Sequence, residues 1–150
     1  MTDTSEPLAR PGAIHHVRLT VTDIDRSKEF YVRLLGGAPA VDFSDQAGDP
    51  AVQEDPARLY GGCVFSLGDQ LLGLRPVAEA GDRFRSTRVG LDHLSLAVGS
   101  AAELDAVVAR LDAAGVEHGE VMPLSGFGIA ILSVQDPDDI NLELTAPLSS

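Results

Sequence analysis

Tryptophan is missing from this chain of 150 residues, and cysteine and lysine occur once each. A single cysteine, Cys63, excludes an intrachain disulfide and a thiolate metal cluster, and a cytoplasmic location is the expectation that follows. Within the strand-like "GGCVFSLG" it reads as a small core residue. Basic residues are also scarce: 11 Lys and Arg stand against 23 Asp and Glu, for a formal net charge of −12. That balance argues against nucleic acid and anionic membranes as partners, because both are bound through basic surface. The close trio Arg83, Arg85 and Arg88 reads as a solvated loop. No apolar run reaches membrane-spanning length, and the opening "MTDTSEPLARPG" lacks the apolar core of a secretory leader. Residues 1–12 read as a flexible lead-in. Aromatic residues are few, five Phe and two Tyr, which disfavours a pocket built to stack planar ligands.

What remains is a globular chain, 44% hydrophobic and long enough for a sizeable core. It repeats itself. With residue 14 laid over residue 91, "IHHVRLTVTD" faces "LDHLSLAVGS", and His16 meets His93. A helix is predicted after each run. In the second half, Ser100 and Glu103 form a capping box, Leu104, Val107, Val108 and Leu111 recur at helical spacing, and Gly115 ends the helix. In the first half, Asp25 is the expected cap, Phe30, Tyr31, Leu34 and Leu35 the apolar stripe, and Gly36-Gly37 the stop. Short strands follow: "APAVDF", "GGCVFSL" and "QLLGLRPV", then "GVEHGEVMPL", "FGIAILSVQ" and "DINLELTA". Turns are expected at Gly68-Asp69 and at "DPDD". The fold class is therefore α+β, with tandem βαβββ modules over 13–75 and 91–147 joined by a polar, basic linker over 76–90. Set side by side, the two sheets form a cup.

Strand alternation then sorts the side chains. On the first strand Val17, Leu19 and Val21 suit packing under the helix, while His16, Arg18 and Thr20 take the opposite face. Buried without partners, such a polar face is costly, so it suits a wet cavity. His15 falls on the other face near the strand start and reads as a rim residue. The second module repeats the pattern with His93, Ser95 and Ala97 on the polar face. On the closing strand "INLELTA", Glu143 stands on that face between Leu142 and Leu144. Two histidines at equivalent positions of a duplicated unit, plus one outlying glutamate, make a candidate metal-ligand set with coordination positions left for water and substrate.

These residues resemble the pattern of the vicinal oxygen chelate superfamily, which includes glyoxalase I, methylmalonyl-CoA epimerase, extradiol dioxygenases, fosfomycin-inactivating transferases and bleomycin-binding proteins. The resemblance runs from about Ala13 to Pro147 and is carried by "HHVRLTVTDIDRSKEFYVRLLG", "LDHLSLAV" and "DPDDINLEL". It implies the cup-shaped mixed sheet and one divalent cation per site, held by His16, His93 and Glu143. It also implies homodimers, some of which build each cup from modules of two chains. A fourth ligand found in some members falls here on Gly73, which cannot ligate. That departure points to the three-ligand pattern of extradiol dioxygenases and fosfomycin transferases, and away from glyoxalase I or an epimerase. Asp139 stands where the family's turn usually has glycine. Metal-free drug-binding members lose the ligands that this chain keeps.

The implied activity is a metal-dependent lyase, isomerase or dioxygenase acting on a small polar metabolite through two neighbouring oxygens. His/His/Glu suits Fe2+, Mn2+, Zn2+ and Ni2+ alike. Glu143, Arg18 and Tyr60 are the candidate catalytic residues: Arg18 shares the His16 face, and Tyr60 lies in the loop before the third strand. Arg75 and Gln135 rank below them, and His118 is expected on an exposed strand end. Many extradiol dioxygenases carry two pairs of modules and use a further histidine, and fosfomycin transferases use a lysine-bearing basic loop; neither feature stands out here. The contrasting reading is a dimeric protein of the same fold that sequesters a drug or natural product without turnover.

Overall fold

In the computed structural model, which describes residues 5–149, each half folds as strand, helix and three strands. Part of the expected lead-in, residues 1–4, lies outside the described residues; residues 5–12 are exposed and form neither helix nor strand. The first half comprises β1 (His16–Thr20), α1 (Ile24–Leu35), β2 (Val41–Asp42), α2 (Pro50–Gln53), β3 (Cys63–Leu67) and β4 (Gln70–Arg75). The second comprises β5 (Leu94–Ala97), α3 (Ala101–Ala114), β6 (Met122–Leu124), β7 (Ile129–Gln135) and β8 (Asn141–Pro147). Two four-stranded mixed sheets result, ordered β1-β4-β3-β2 and β5-β8-β7-β6. In each, the first strand runs parallel to the last, and the remaining pairs are antiparallel.

The helices end as their sequences direct. Gly36 and Gly115 both take the left-handed conformation at the C-cap, where a side chain would be strained. Ser100 accepts from the Glu103 backbone N–H, and Glu103 reaches back to the N–H of Gly99. The cap of α1 departs from expectation. Asp23, still in extended backbone, accepts from the Arg26 N–H, while Asp25 sits in the first turn and complements the helix dipole. The loop between β2 and β3 also holds more structure than its sequence pattern suggested: α2 and two short 3-10 turns, Ser44–Gln46 and Pro56–Gly61. Asp49-Pro50 and Asp55-Pro56 each place a capping carboxylate before a proline already fixed for helical entry. Two expected strands shrink, to Val41–Asp42 and Met122–Leu124, in runs broken by Pro39 and Gly119.

One core joins the halves. Leu19, Tyr31, Phe65, Leu72 and Leu74 of the first pack in the same cluster as Leu104, Leu132, Val134, Leu142 and Leu144 of the second. Cys63 is buried there, and burial pushes its thiol up to about 12, so it is inert core filling. The halves are also bolted together by the turn after β7. Asp136 is buried and accepts from the backbone N–H groups of Asp138 and Ile140 and from the Tyr31 hydroxyl, all at 2.8 Å. Asp138 accepts from the Thr22 N–H, the Thr22 hydroxyl and Arg26. Asp139 takes positive φ in this turn, a conformation aspartate tolerates.

Gly62 allows the loop before β3 to lie on β4. A Cβ there would stand 1.7 Å from the Leu74 carbonyl oxygen, which is backbone and cannot rotate away. This contact seats Leu59 and Tyr60, both in left-handed backbone, above the sheet.

Two outcomes follow from this packing. Tyr31→Phe leaves one oxygen of the buried Asp136 without its donor and is expected to lower unfolding free energy by about 1–3 kcal/mol, measured by urea denaturation. Gly62→Ala forces the loop off β4 and is expected to cost about 1–3 kcal/mol by the same measurement.

Candidate metal centre

The alternation expected of the strands is observed. Val17 and Leu19 turn to the core, while His16, Arg18 and Thr20 are exposed on the opposite face of β1. In the second sheet Leu142 and Leu144 are buried, while Glu143 and Thr145 share the outer face with Ser95 and Ala97. The polar faces of both sheets are thus the ones left uncovered by the helices.

His93 and Glu143 meet on the second sheet. His93 Nε2 stands 3.8 Å from Glu143 Oε1, and its Nδ1 lies 2.7 Å from the Asp92 carboxylate. Asp92 accepts the Nδ1 proton, which fixes the tautomer and turns the Nε2 lone pair toward Glu143. That hydrogen bond, with the charge of Glu143 adding to it, raises the His93 pKa above the ordinary histidine value. Glu143 is held in turn by the Thr145 hydroxyl, which lies 2.5 Å from that of Ser95. An oriented imidazole nitrogen beside a fixed carboxylate is a donor pair that fits a divalent cation. Asp92 went unnoticed as a functional residue in the sequence, although its place immediately before His93 was the available signal.

His16 belongs to the other sheet. Its Nδ1 lies 2.9 Å from that of His15, so one ring donates to the other, and both histidines are exposed. Among the described residues, no three His, Cys, Asp or Glu side chains stand close enough together to hold a metal ion. One chain therefore brings His93 to Glu143 and leaves His16 apart from them.

The register explains the missing fourth ligand. Gly73 pairs with Arg18 as Glu143 pairs with Ser95, so Gly73 is the first-module equivalent of Glu143. A Cβ at Gly73 would meet Arg18 Nε at 3.2 Å. Arg18 thus occupies the space that a ligand side chain would need. Its guanidinium lies 5.5 Å from the centre of the Tyr60 ring, and that of Arg75 stacks on the same ring at 3.7 Å. Neither arginine forms an ion pair among the described residues, and the Arg75 Nε is buried with no hydrogen-bond partner. Arg75, placed below Arg18 and Tyr60 in the sequence, here joins them, since a strand pattern does not show which ring a long side chain will find.

A cavity of about 520 Å³ lies between α1 and α3 and is lined by residues such as Phe30, Leu34, Val98 and Val107; it includes none of the three candidate ligands. A second, about 260 Å³, is bounded by Arg18, Thr20, Phe84, Leu91 and Ile140, between β1 and the segment that follows β4. The other candidates have local partners. His118 is only partly exposed and bonds to Asp112 and to the Gly119 carbonyl, which raise its pKa. Gln135 donates to Asn141, and Arg83 pairs with Asp139.

Comparison with known proteins agrees with the fold. The chain is 30% identical over 138 residues to the uncharacterized protein YwkD of Bacillus subtilis, covering 88% of this chain and 94% of that one. A glyoxalase/bleomycin resistance protein/dioxygenase domain from Frankia superposes with a TM-score of 0.69 at 28% identity, over 95% of this chain and 96% of that one. A point mutant of the fosfomycin resistance protein FosX of Listeria monocytogenes, solved with Mn(II) and 1S,2S-dihydroxypropylphosphonic acid, shares the fold with a TM-score of 0.67 at 16% identity, over 94% of this chain and 95% of that one. The family model matches residues 13–144, and with the two-module fold it establishes that this chain belongs to the glyoxalase/bleomycin resistance protein/dioxygenase superfamily.

Proposed function

We propose that the protein is a divalent-metal-dependent enzyme of lyase, isomerase or dioxygenase type that acts on a small polar metabolite through two neighbouring oxygens. The observation that carries this reading is the Asp92–His93–Glu143 arrangement, with an oriented ring nitrogen facing a restrained carboxylate on an open sheet face. His16, His93 and Glu143 would hold the cation. Because His16 lies apart within one chain, the reading includes a homodimer in which His16 of one copy completes the pair on the other, giving two sites. A cation bound there supplies Lewis-acid polarisation of the chelated oxygens, and the three-residue donor set suits iron, manganese, zinc and nickel.

The remaining work falls to the chain's own side chains. Asp92 keeps the His93 proton on Nδ1. Glu143, restrained by the Thr145 hydroxyl on the open face of the second sheet, would also be the candidate proton acceptor. Arg18 orients substrate, and the Tyr60 ring holds Arg18 and Arg75 in place. The single buried thiol of Cys63 suits work in the cytoplasm.

Metal content of the purified protein, read by mass spectrometry after titration with Mn2+ or Fe2+, tests the reading. About one ion per chain is expected, lost in His93→Ala and Glu143→Ala. Asp92→Asn is expected to weaken metal binding by about 10–100-fold without unfolding the chain. Mixing unfolded and refolded His16→Ala and Glu143→Ala chains is expected to restore metal binding that neither variant shows alone, since one site of each mixed dimer is intact. Wild-type protein that takes up no metal yet binds small molecules favours the sequestering function instead.

A further inference from the structure

The outer face of the first sheet carries a feature that metal chelation leaves unused. Arg18 and Arg75 approach one aromatic ring, at 5.5 and 3.7 Å from its centre, in a chain that carries 11 basic residues against 23 acidic ones. Neither guanidinium is neutralised by a carboxylate among the described residues. Three separate devices hold them there. Gly73 leaves the space that Arg18 fills, Gly62 lets the loop close on β4, and Tyr60 takes left-handed backbone to lay its ring under both side chains. The Arg75 Nε is buried and unpartnered. Two like charges gathered at one place, with donors left over, are arranged for an anion. Stacking on the ring fixes the planar Arg75 fork in advance, so little of its freedom is lost when an oxyanion docks.

We infer that Arg18, Arg75 and Tyr60 form an anion subsite, and that the substrate is an oxygen chelator carrying a second, carboxylate group. The inference rests on the proposed metal site for the chelating half only. Arg18 lies two residues from His16 on the same face of β1, a separation of about 7 Å along the strand. The subsite therefore travels with His16, whichever copy of the chain supplies His93 and Glu143. A 2-hydroxy acid with a terminal carboxylate spans such a distance: its hydroxyl and first carboxylate serve as chelating oxygens, and its far carboxylate meets the guanidinium forks.

Calorimetric titration of the Mn2+-loaded protein compares malate and 2-hydroxyglutarate with 2-hydroxybutyrate and 2-hydroxypentanoate, in which a methyl replaces the far carboxylate. At least one dicarboxylate is expected to bind about tenfold or more tightly than its methyl counterpart. Arg75→Met is expected to remove most of that preference, with retained Mn2+ binding showing that the fold is intact; Arg18→Met provides a second variant should the first fold poorly. Equal binding of each pair by the wild type, with Mn2+ bound, overturns the subsite and leaves the metal site standing. If the protein binds none of Mn2+, Fe2+, Zn2+ and Ni2+, the metal reading fails and succinate titrated into the metal-free protein decides the subsite: binding that Arg75→Met abolishes supports it, and absence of binding, or binding that Arg75→Met leaves intact, overturns it.

Discussion

Everything on the two sheet faces depends on the buried turn that locks the modules together. Asp136 and Asp138, two residues apart, point into the first module and receive hydrogen bonds from Tyr31, Thr22 and Arg26. Burying a carboxylate is costly, and here the cost is offset by three donors to Asp136 and by a charged partner for Asp138. For Asp136 the balance still favours desolvation: burial outweighs the hydrogen bonds and raises its pKa. The folded state thus holds the Asp136 proton more tightly than the unfolded state does. Its contribution to stability is greatest below the ordinary carboxylate range and declines as pH rises through the raised value. The clasp is specific rather than strongly stabilising, because each of its donors must be in place for the carboxylates to be tolerated.

That clasp was invisible in the sequence for a physical reason. Tyr31 and Asp136 are separated by 105 residues, and neither periodicity nor turn chemistry reports a bond of that span. Local patterns were legible where one interaction dominates. The alternation of "HVRLT" and "NLELT" named the buried and open faces, and Gly36, Gly115 and the Ser100–Glu103 box named helix ends. Where two local choices compete, the outcome was harder to read. Asp23 and Asp25 are both able to cap α1, and the extended backbone leading out of β1 decides for Asp23. Pro39 and Gly119 sit in runs with strand composition, and the loss of a donor or a side chain shortens both strands.

The candidate site divides in the same way. His93 and Glu143 were readable as partners because strand register and face follow from alternation, and the 3.8 Å separation reflects that register. Arg75 and Asp92 were not, since their roles depend on side-chain reach rather than on backbone face. A guanidinium extends several bonds from its strand, and only the seating of the Tyr60 loop by Gly62 determines what it stacks on. His16 shows a further limit. Its face was clear, yet the distance to the second sheet is a matter of module arrangement, which alternation does not encode.

Duplication explains why the two open faces differ chemically while their cores match. The pairs Val17 and Leu94, and Leu19 and Leu96, occupy equivalent places and keep their character, since each sheet must still cover its own helix. Freed from that demand, the outer positions have diverged: Arg18 over Gly73 in one sheet, Ser95 beside Glu143 in the other. A carboxylate at position 73 would compete with Arg18 for space and would pair with its charge. Removing that side chain leaves one module electropositive and the other supplied with a carboxylate donor. Gly73 is therefore the position at which the two modules part, with an arginine on the outer face of one sheet and a carboxylate on that of the other.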